Sequence, residues 1–303
     1  MSINRLKPAP QTFLDVSRTL EESRYVILGA PMDLTGTYRR GSRFAPTAIR
    51  RASQYMESYS LRSDLEGEEV TICDAGDLKG GEDVEEWVDQ IEALLREVSA
   101  SKKVPIMLGG EHTITLGAAR AFKEAAIVSL DAHLDLRDEF LGRRVSHATF
   151  LRRVSEEKVD RIALILGARA LSREEMSYAR EREIRYITMK EIREQGVRET
   201  LEKVLGCIPE GTSLYLTLDM DVLDPSEAPA VCNPAPEGIG VTDLLELLHG
   251  LCVRRRVLGL DLCEVTPYYD SGLTSIQAAK VLLELILSLE RGRKGEEASE
   301  RRD

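Results

Sequence analysis

The chain is short of several things at once, and each shortage removes a class of function. Its five cysteines (Cys73, Cys207, Cys232, Cys252 and Cys263) are odd in number and form no Cys-x-x-Cys pair. That excludes a disulfide framework and predicts reduced thiols in a cytoplasmic protein. No apolar run approaches the roughly 18 residues of a membrane span. Met1 to Thr19 mixes Arg, Lys, Pro and Asp, so it lacks the charged-then-apolar order of a secretory signal. Neither a P-loop nor a Gly-x-Gly-x-x-Gly turn accompanies Arg39, Arg40 and Arg43, which are therefore not read as a phosphate site. Positive charge is in deficit, with 41 Lys+Arg against 52 Asp+Glu and a net charge of −11. The balance argues against nucleic acid and anionic membrane as partners and is compatible with a small cationic substrate.

What remains is an ordinary globular composition, 43% apolar and 31% charged over 303 residues, enough for a large core in one domain. Apolar runs at Arg24–Ala30, Val70–Asp74, Val104–Leu108, Ala125–Leu130, Arg161–Gly167, Ser213–Leu218 and Val257–Cys263 read as strands. Helical patterns fall between them, as over Asp83–Ser99, Glu111–Lys123, His147–Lys158, Ser172–Arg182, Met189–Leu205 and Val241–Arg254, with Ser275–Leu289 closing the series. Trp87 lies on the apolar stripe of the first of these and is read as core. This alternation predicts an α/β fold, a single three-layer domain over residues 1–303 with a mainly parallel sheet flanked by helices on both faces. Residues 1–20 read as an irregular N-terminal segment, and 290–303 as a frayed charged tail.

The unusual polar clusters each follow a strand: Gly110-Glu111-His112, Asp131/His133/Asp135, Asp219/Asp221 and Glu264. Sites in open α/β sheets gather at the carboxyl ends of strands. If the backbone stays extended after Leu130, Asp131, His133 and Asp135 share one side. Three ligand-type side chains converging after a buried strand call for a cation between them. With His112, Asp219 and Asp221 added, six donors suit two octahedral-type ions, and the N/O set without thiolate favours Mn or a similar divalent ion. Of the four histidines, His112, His133 and His147 fall in or near these segments, whereas His249 reads as a structural residue of a helix end. His147 could also simply open a helix with Ser146 as N-cap. Asp74 and Asp77 are read as a structural turn, and Cys232 as a spectator thiol.

These residues carry a resemblance. Gly109-Gly-Glu-His112, Asp131-Ala-His-Leu-Asp135 and Leu218-Asp-Met-Asp-Val-Leu-Asp-Pro225 are similar to the three metal motifs of the ureohydrolase family, the arginases and agmatinases. Gly41-Ser-Arg-Phe-Ala-Pro46 and Glu264-Val-Thr-Pro267 resemble its flanking signatures. The likeness runs from about Val26 to about Leu289. It implies the arginase-like fold and two Mn2+ ions. His112, Asp131, Asp135 and Asp219 would hold the first ion, and His133, Asp131, Asp219 and Asp221 the second. It implies attack of a metal-bridging hydroxide on a guanidino carbon, with Glu264 holding the guanidinium, Asp135 passing the proton and His147 shuttling it or touching substrate. It also implies a homo-oligomer, a trimer or hexamer.

Within the family, the Asn- and Ser-bearing segment that arginases use is replaced here by Leu136 to Val145. Asp138 and Glu139 in that segment would favour a cationic tail, and Asp138 is read as a substrate contact. Agmatine, cleaved to putrescine and urea, is the reading. In the loop from Ala228 to Gly238, Val231, Cys232 and Glu237 stand where the family has small residues. Arginine, guanidinobutyrate and formiminoglutamate therefore stay as alternative substrates. A catalytically silent metal-binding homologue and a single-metal deacetylase-like hydrolase are the readings outside this activity.

Overall fold

The computed structural model describes residues 6–158 and 161–300. Nine strands form one sheet: β1 (Leu6–Lys7), β2 (Tyr25–Ala30), β3 (Ile72–Leu78), β4 (Val104–Gly109), β5 (Ala126–Leu130), β6 (Ala163–Ala168), β7 (Arg185–Thr188), β8 (Leu214–Asp219) and β9 (Val257–Cys263). Their order is β1-β3-β2-β4-β9-β8-β5-β6-β7. Only β1 runs antiparallel, pairing Leu6 with Leu78 at one edge. The helices are α1 (Ala45–Ser53), α2 (Val84–Ala100), α3 (Ile114–Ala121), α4 (Phe150–Glu157), α5 (Arg173–Glu181), α6 (Met189–Cys207), α7 (Val241–Arg254) and α8 (Leu273–Glu300). None of them is long and apolar enough to cross a membrane.

The three layers follow from strand alternation. Successive side chains point to opposite faces, so a strand buried on both must be apolar throughout. Val26, Leu28, Met107, Ile127 and Ile165 pack with Trp87, Ile114, Phe150 and Ala179, from α2, α3, α4 and α5. Ile27, Ile106, Leu108, Val128 and Leu164 face the other way, against Ile49, Leu201, Leu248 and Leu282 of α1, α6, α7 and α8. Trp87 is core, as its stripe predicts.

Asp74 and Asp77 are structural, but not as a turn. Both lie in β3, with Asp74 accepting two bonds from the Arg50 guanidinium and Asp77 a third. Arg50 is fully buried, so the two carboxylates are what keep its charge tolerable there. A Cβ at Gly29 would sit 1.8 Å from Asp77 Oδ1, so only glycine leaves the carboxylate room on the neighbouring strand.

Three boundaries differ from the sequence reading. The N-terminal segment carries β1 and a short 3-10 turn at Phe13–Asp15 within otherwise irregular chain. β7 escapes notice in the sequence because it is a short edge strand in which only Ile187 is buried. The final helix runs to Glu300, so residues 290–300 of the expected frayed tail are helical; 301–303 lie outside the described residues. Glu290 is buried and accepts from the Tyr25 hydroxyl, while Arg293 pairs with Glu290 and Glu297 one turn either way, and such pairs extend a helix beyond its apolar contacts.

Candidate metal centre

The central strands β4, β9, β8 and β5 are neighbours in the sheet, and each ends in one of the polar clusters. After β4 the chain turns at Gly110, where a Cβ would lie 1.9 Å from the Met32 carbonyl. That close approach sets the direction in which His112 leaves the strand. The His112 N–H donates to Glu264 Oε1 at 2.6 Å, and the Glu264 N–H donates to the Gly110 carbonyl at 2.8 Å. The ends of β4 and β9 are thus tied together at the site.

After β5 the strand stops at Leu130, and the following residues bend instead of continuing extended. The expected pleat therefore does not align Asp131, His133 and Asp135. They converge through a turn in which Asp131 Oδ1 accepts from the His133 N–H at 2.6 Å. Asp135 takes a left-handed backbone at φ 53. After β8, Asp219 accepts from the Asp221 N–H at 2.8 Å, and Asp221 accepts from the Ala132 N–H at 3.1 Å.

His112 Nδ1 lies 3.1 Å from Asp131, 3.4 Å from Asp135 and 3.4 Å from Asp219. It is buried and makes no hydrogen bond. His133 Nδ1 lies 3.0 Å from Asp221 and 3.5 Å from Asp131. The donors form two groups of three, His112/Asp131/Asp219 and Asp131/His133/Asp221, which share Asp131. Asp135 adjoins the first. Four carboxylates almost without solvent repel one another. Burial and the adjacent Asp131 hold Asp135 protonated well above the usual carboxylate range, and burial with Asp221 does the same to Asp219. Burial disfavours charge on both imidazoles, yet the surrounding carboxylates raise His112 and His133 well above the ordinary histidine value. An orphaned imidazole nitrogen ringed by carboxylate oxygens is the donor set of a divalent cation, so these residues fit a metal.

A cavity of about 170 Å³ opens over this cluster, with Glu264, His147, Phe140, Arg137, Glu175 and Asn233 among its walls. Glu264 also has a left-handed backbone, φ 69. Burial, with Glu111 nearby, pushes its carboxyl up to about 7. Among the described residues its Oε2 has no hydrogen-bond partner, leaving an acceptor for an incoming N–H. The Cys232 N–H donates to the Glu264 carbonyl at 3.0 Å, which places the departing loop beside the site.

A model of the arginase family matches residues 23–288. The N(1)-aminopropylagmatine ureohydrolase of Thermococcus kodakarensis is 36% identical over 265 residues, covering 86% of this chain and 89% of its own. The agmatinase of Pyrococcus horikoshii is 34% identical over 269 residues, covering 88% and 92%. The solved structure of the agmatine ureohydrolase of Thermoplasma volcanium is similar with a TM-score of 0.87 at 36% identity, over 95% of this chain and 97% of that one. The chain belongs to the arginase family. It is a ureohydrolase, an enzyme of the hydrolase class.

In this ureohydrolase His147 precedes α4 and does not open it, because the helix begins at Phe150, with Thr149 at the N-cap position and no side-chain capping bond. Its Nδ1 is 3.0 Å from the Thr35 hydroxyl, and its ring stands edge-on to Phe140. Burial, with His133 and His112 nearby, pushes His147 down to about 4. Asp138 departs from its expected place. It pairs with Arg153 at 2.9 Å, Arg152 at 3.5 Å and Arg144 at 3.7 Å, and it does not line the cavity. Three arginines neutralise the charge that was to meet a substrate tail. Glu175 occupies the cavity wall instead, 3.8 Å from Arg137.

Sequence reasoning missed the residues behind the donors. Glu111 accepts from the Leu34, Thr35 and Gly36 N–H groups and from the Thr35 and Thr113 hydroxyls. Arg169 donates to carbonyls of Asp221, Leu223, Ala235 and Pro236, fixing the loop that carries Asp221. Asp261 and Thr217 lie inside β9 and β8. The lone acid within Val257–Cys263 was the available signal, since an interior strand position holds charge only for a partner.

Proposed function

We propose that this ureohydrolase cleaves the guanidino group of agmatine to putrescine and urea with two Mn2+ ions. His112, Asp131, Asp135 and Asp219 would hold one ion. His133, Asp221 and the shared Asp131 and Asp219 would hold the other. When bound, such a pair supplies water acidified to near-neutral pKa. The carrying observation is the orphaned His112 Nδ1 facing three carboxylates, with the free Glu264 Oε2 at the same cavity.

The chain's own groups do the rest. Glu264 accepts N–H bonds from the guanidinium, a planar fork that suits a carboxylate. Holding that cation in a buried site orients its carbon toward the ligand cluster and excludes bulk water. Asp135 carries a proton from the nucleophile to the leaving amine, which keeps it, and His147, held at Nδ1 by Thr35, exchanges a second proton between the site and solvent. Putrescine and urea depart. The substrate tail runs past Phe140 toward Glu175, the carboxylate of the cavity wall that takes the part first given to Asp138. An exposed patch of Phe44, Tyr55, Tyr268, Leu273 and Ile276 is compatible with self-association as a homo-oligomer.

The test is a panel of agmatine, arginine, guanidinobutyrate and formiminoglutamate, with and without Mn2+, read as urea or formamide. Mn-dependent urea release fastest on agmatine is expected. Preference for another member overturns the substrate, and silence on every member overturns the activity.

A further inference from the structure

The geometry points to a positioning role for Thr217 and Asp261: through a hydroxyl bridge they fix the proton of His112 on Nε2, leaving Nδ1 free to bind a divalent cation. This rests on the reading of His112 as a metal ligand.

Asp261 is fully buried within β9. Its Oδ1 accepts from the Thr217 hydroxyl at 2.6 Å and from the Cys263 thiol at 3.4 Å. Its Oδ2 accepts from the Tyr215 hydroxyl at 2.8 Å and the Thr115 hydroxyl at 3.0 Å. Burial raises its carboxyl while His112 and the hydroxyl donors work the other way, and in its charged form it accepts only, so all four neighbours donate to it. A threonine hydroxyl has one hydrogen. The Thr217 hydrogen is drawn to the nearest charged acceptor, because charge-assisted bonds are the shorter and stronger ones.

The Thr217 oxygen is also 2.7 Å from His112 Nε2. With its hydrogen committed to Asp261, that oxygen can only accept, and Nε2 must therefore carry the ring proton. In the neutral ring, the form that binds a cation, Nδ1 is left with its lone pair, aimed among Asp131, Asp135 and Asp219. Metal-binding histidines need such an outer partner to hold their tautomer and ring plane. Here the partner is a carboxylate acting one hydroxyl away, with Thr217 and Asp261 inside the paired strands β8 and β9 and His112 just beyond β4. Nothing in the reaction itself uses Thr217 or Asp261.

The test uses the whole protein and titrates Mn2+, with free ion read by electron paramagnetic resonance. Thr217→Val removes the hydroxyl and keeps the shape. Its affinity for the ion at the His112 group should fall about tenfold to a hundredfold, while the ion at the His133 group binds as before. Thr217→Ser restores the hydroxyl and should stay within about twofold of the parent by the same reasoning. Thr217→Ala serves if the valine variant does not fold. A purely structural Thr217 would lower the melting temperature and leave Mn2+ affinity unchanged, and that outcome overturns the inference. Failure of the parent protein to bind Mn2+ overturns the metal reading itself, which separates the two.

Discussion

The Thr35 hydroxyl lies 3.0 Å from His147 Nδ1 and is bonded on its other side, at 2.8 Å, to buried Glu111. Glu111 takes the Thr35 hydrogen, so His147 donates from Nδ1 and presents Nε2 to the cavity as a base. Thr35→Val should therefore lower kcat about tenfold or more, within the range that positioned acid–base groups contribute, while KM and bound metal hold. Steady-state kinetics with metal analysis check this, and an unchanged kcat would take Thr35 out of the proton path.

The two roles assigned to carboxylates separate cleanly by mutation. Asp131→Ala removes the donor common to both groups, so metal and activity should be lost together. Glu264→Gln should keep metal and abolish turnover, because a neutral amide loses the charge that holds the guanidinium. Metal content measured beside urea release decides it; full turnover in the Glu264 variant would exclude that residue from the reaction.

Metal uptake should release protons. His112, His133, Asp135 and Asp219 all hold protons above their ordinary values in the metal-free site, and ligands must give them up to bind. The metal-bound form thus carries fewer protons, and Mn2+ affinity should rise with pH through the neutral range. Titration in weakly buffered solution reads the released protons directly, and zero release would contradict the ligand set. By the same linkage, Mn2+ at a hundred times its dissociation constant should add about 2.7 kcal/mol of stability, measured by calorimetry with and without chelator.

Away from the site, Arg50→Met should cost about 3–5 kcal/mol, because it strands Asp74 and Asp77 as buried, unpaired charges. Chemical denaturation reads the loss. A cost under about 1 kcal/mol would mean that solvent reaches the pair after all.

Much of this was legible in the sequence, because the strands at the site are buried on both faces and appear as plain apolar runs that stop at His112, Asp131, Asp219 and Glu264. Convergence of Asp131, His133 and Asp135 was foreseen for a different reason from the one that operates: a turn gathers them, and periodicity carries no trace of the left-handed Asp135. Asp138 misled because charge along a chain does not say which neighbours will neutralise it: Arg152 and Arg153 reach it from α4, and Arg144 from the segment before that helix. The Glu111–Thr35 and Asp261–Thr217 bridges were hidden for a similar reason. Each joins residues far apart in sequence, and a threonine, whether in a loop like Thr35 or in a strand like Thr217, looks like filler until its hydroxyl has an address.

The sheet order carries a consequence for how the protein is made. β9, the last strand synthesised, sits between β4 and β8. Without it the strand order leaves two unjoined groups of strands, one followed by His112 and the other by Asp131, His133, Asp219 and Asp221. Pairing of β9 with β4 and β8, which also places Glu264, joins the two groups, so a chain that stops short of β9 lacks the complete site.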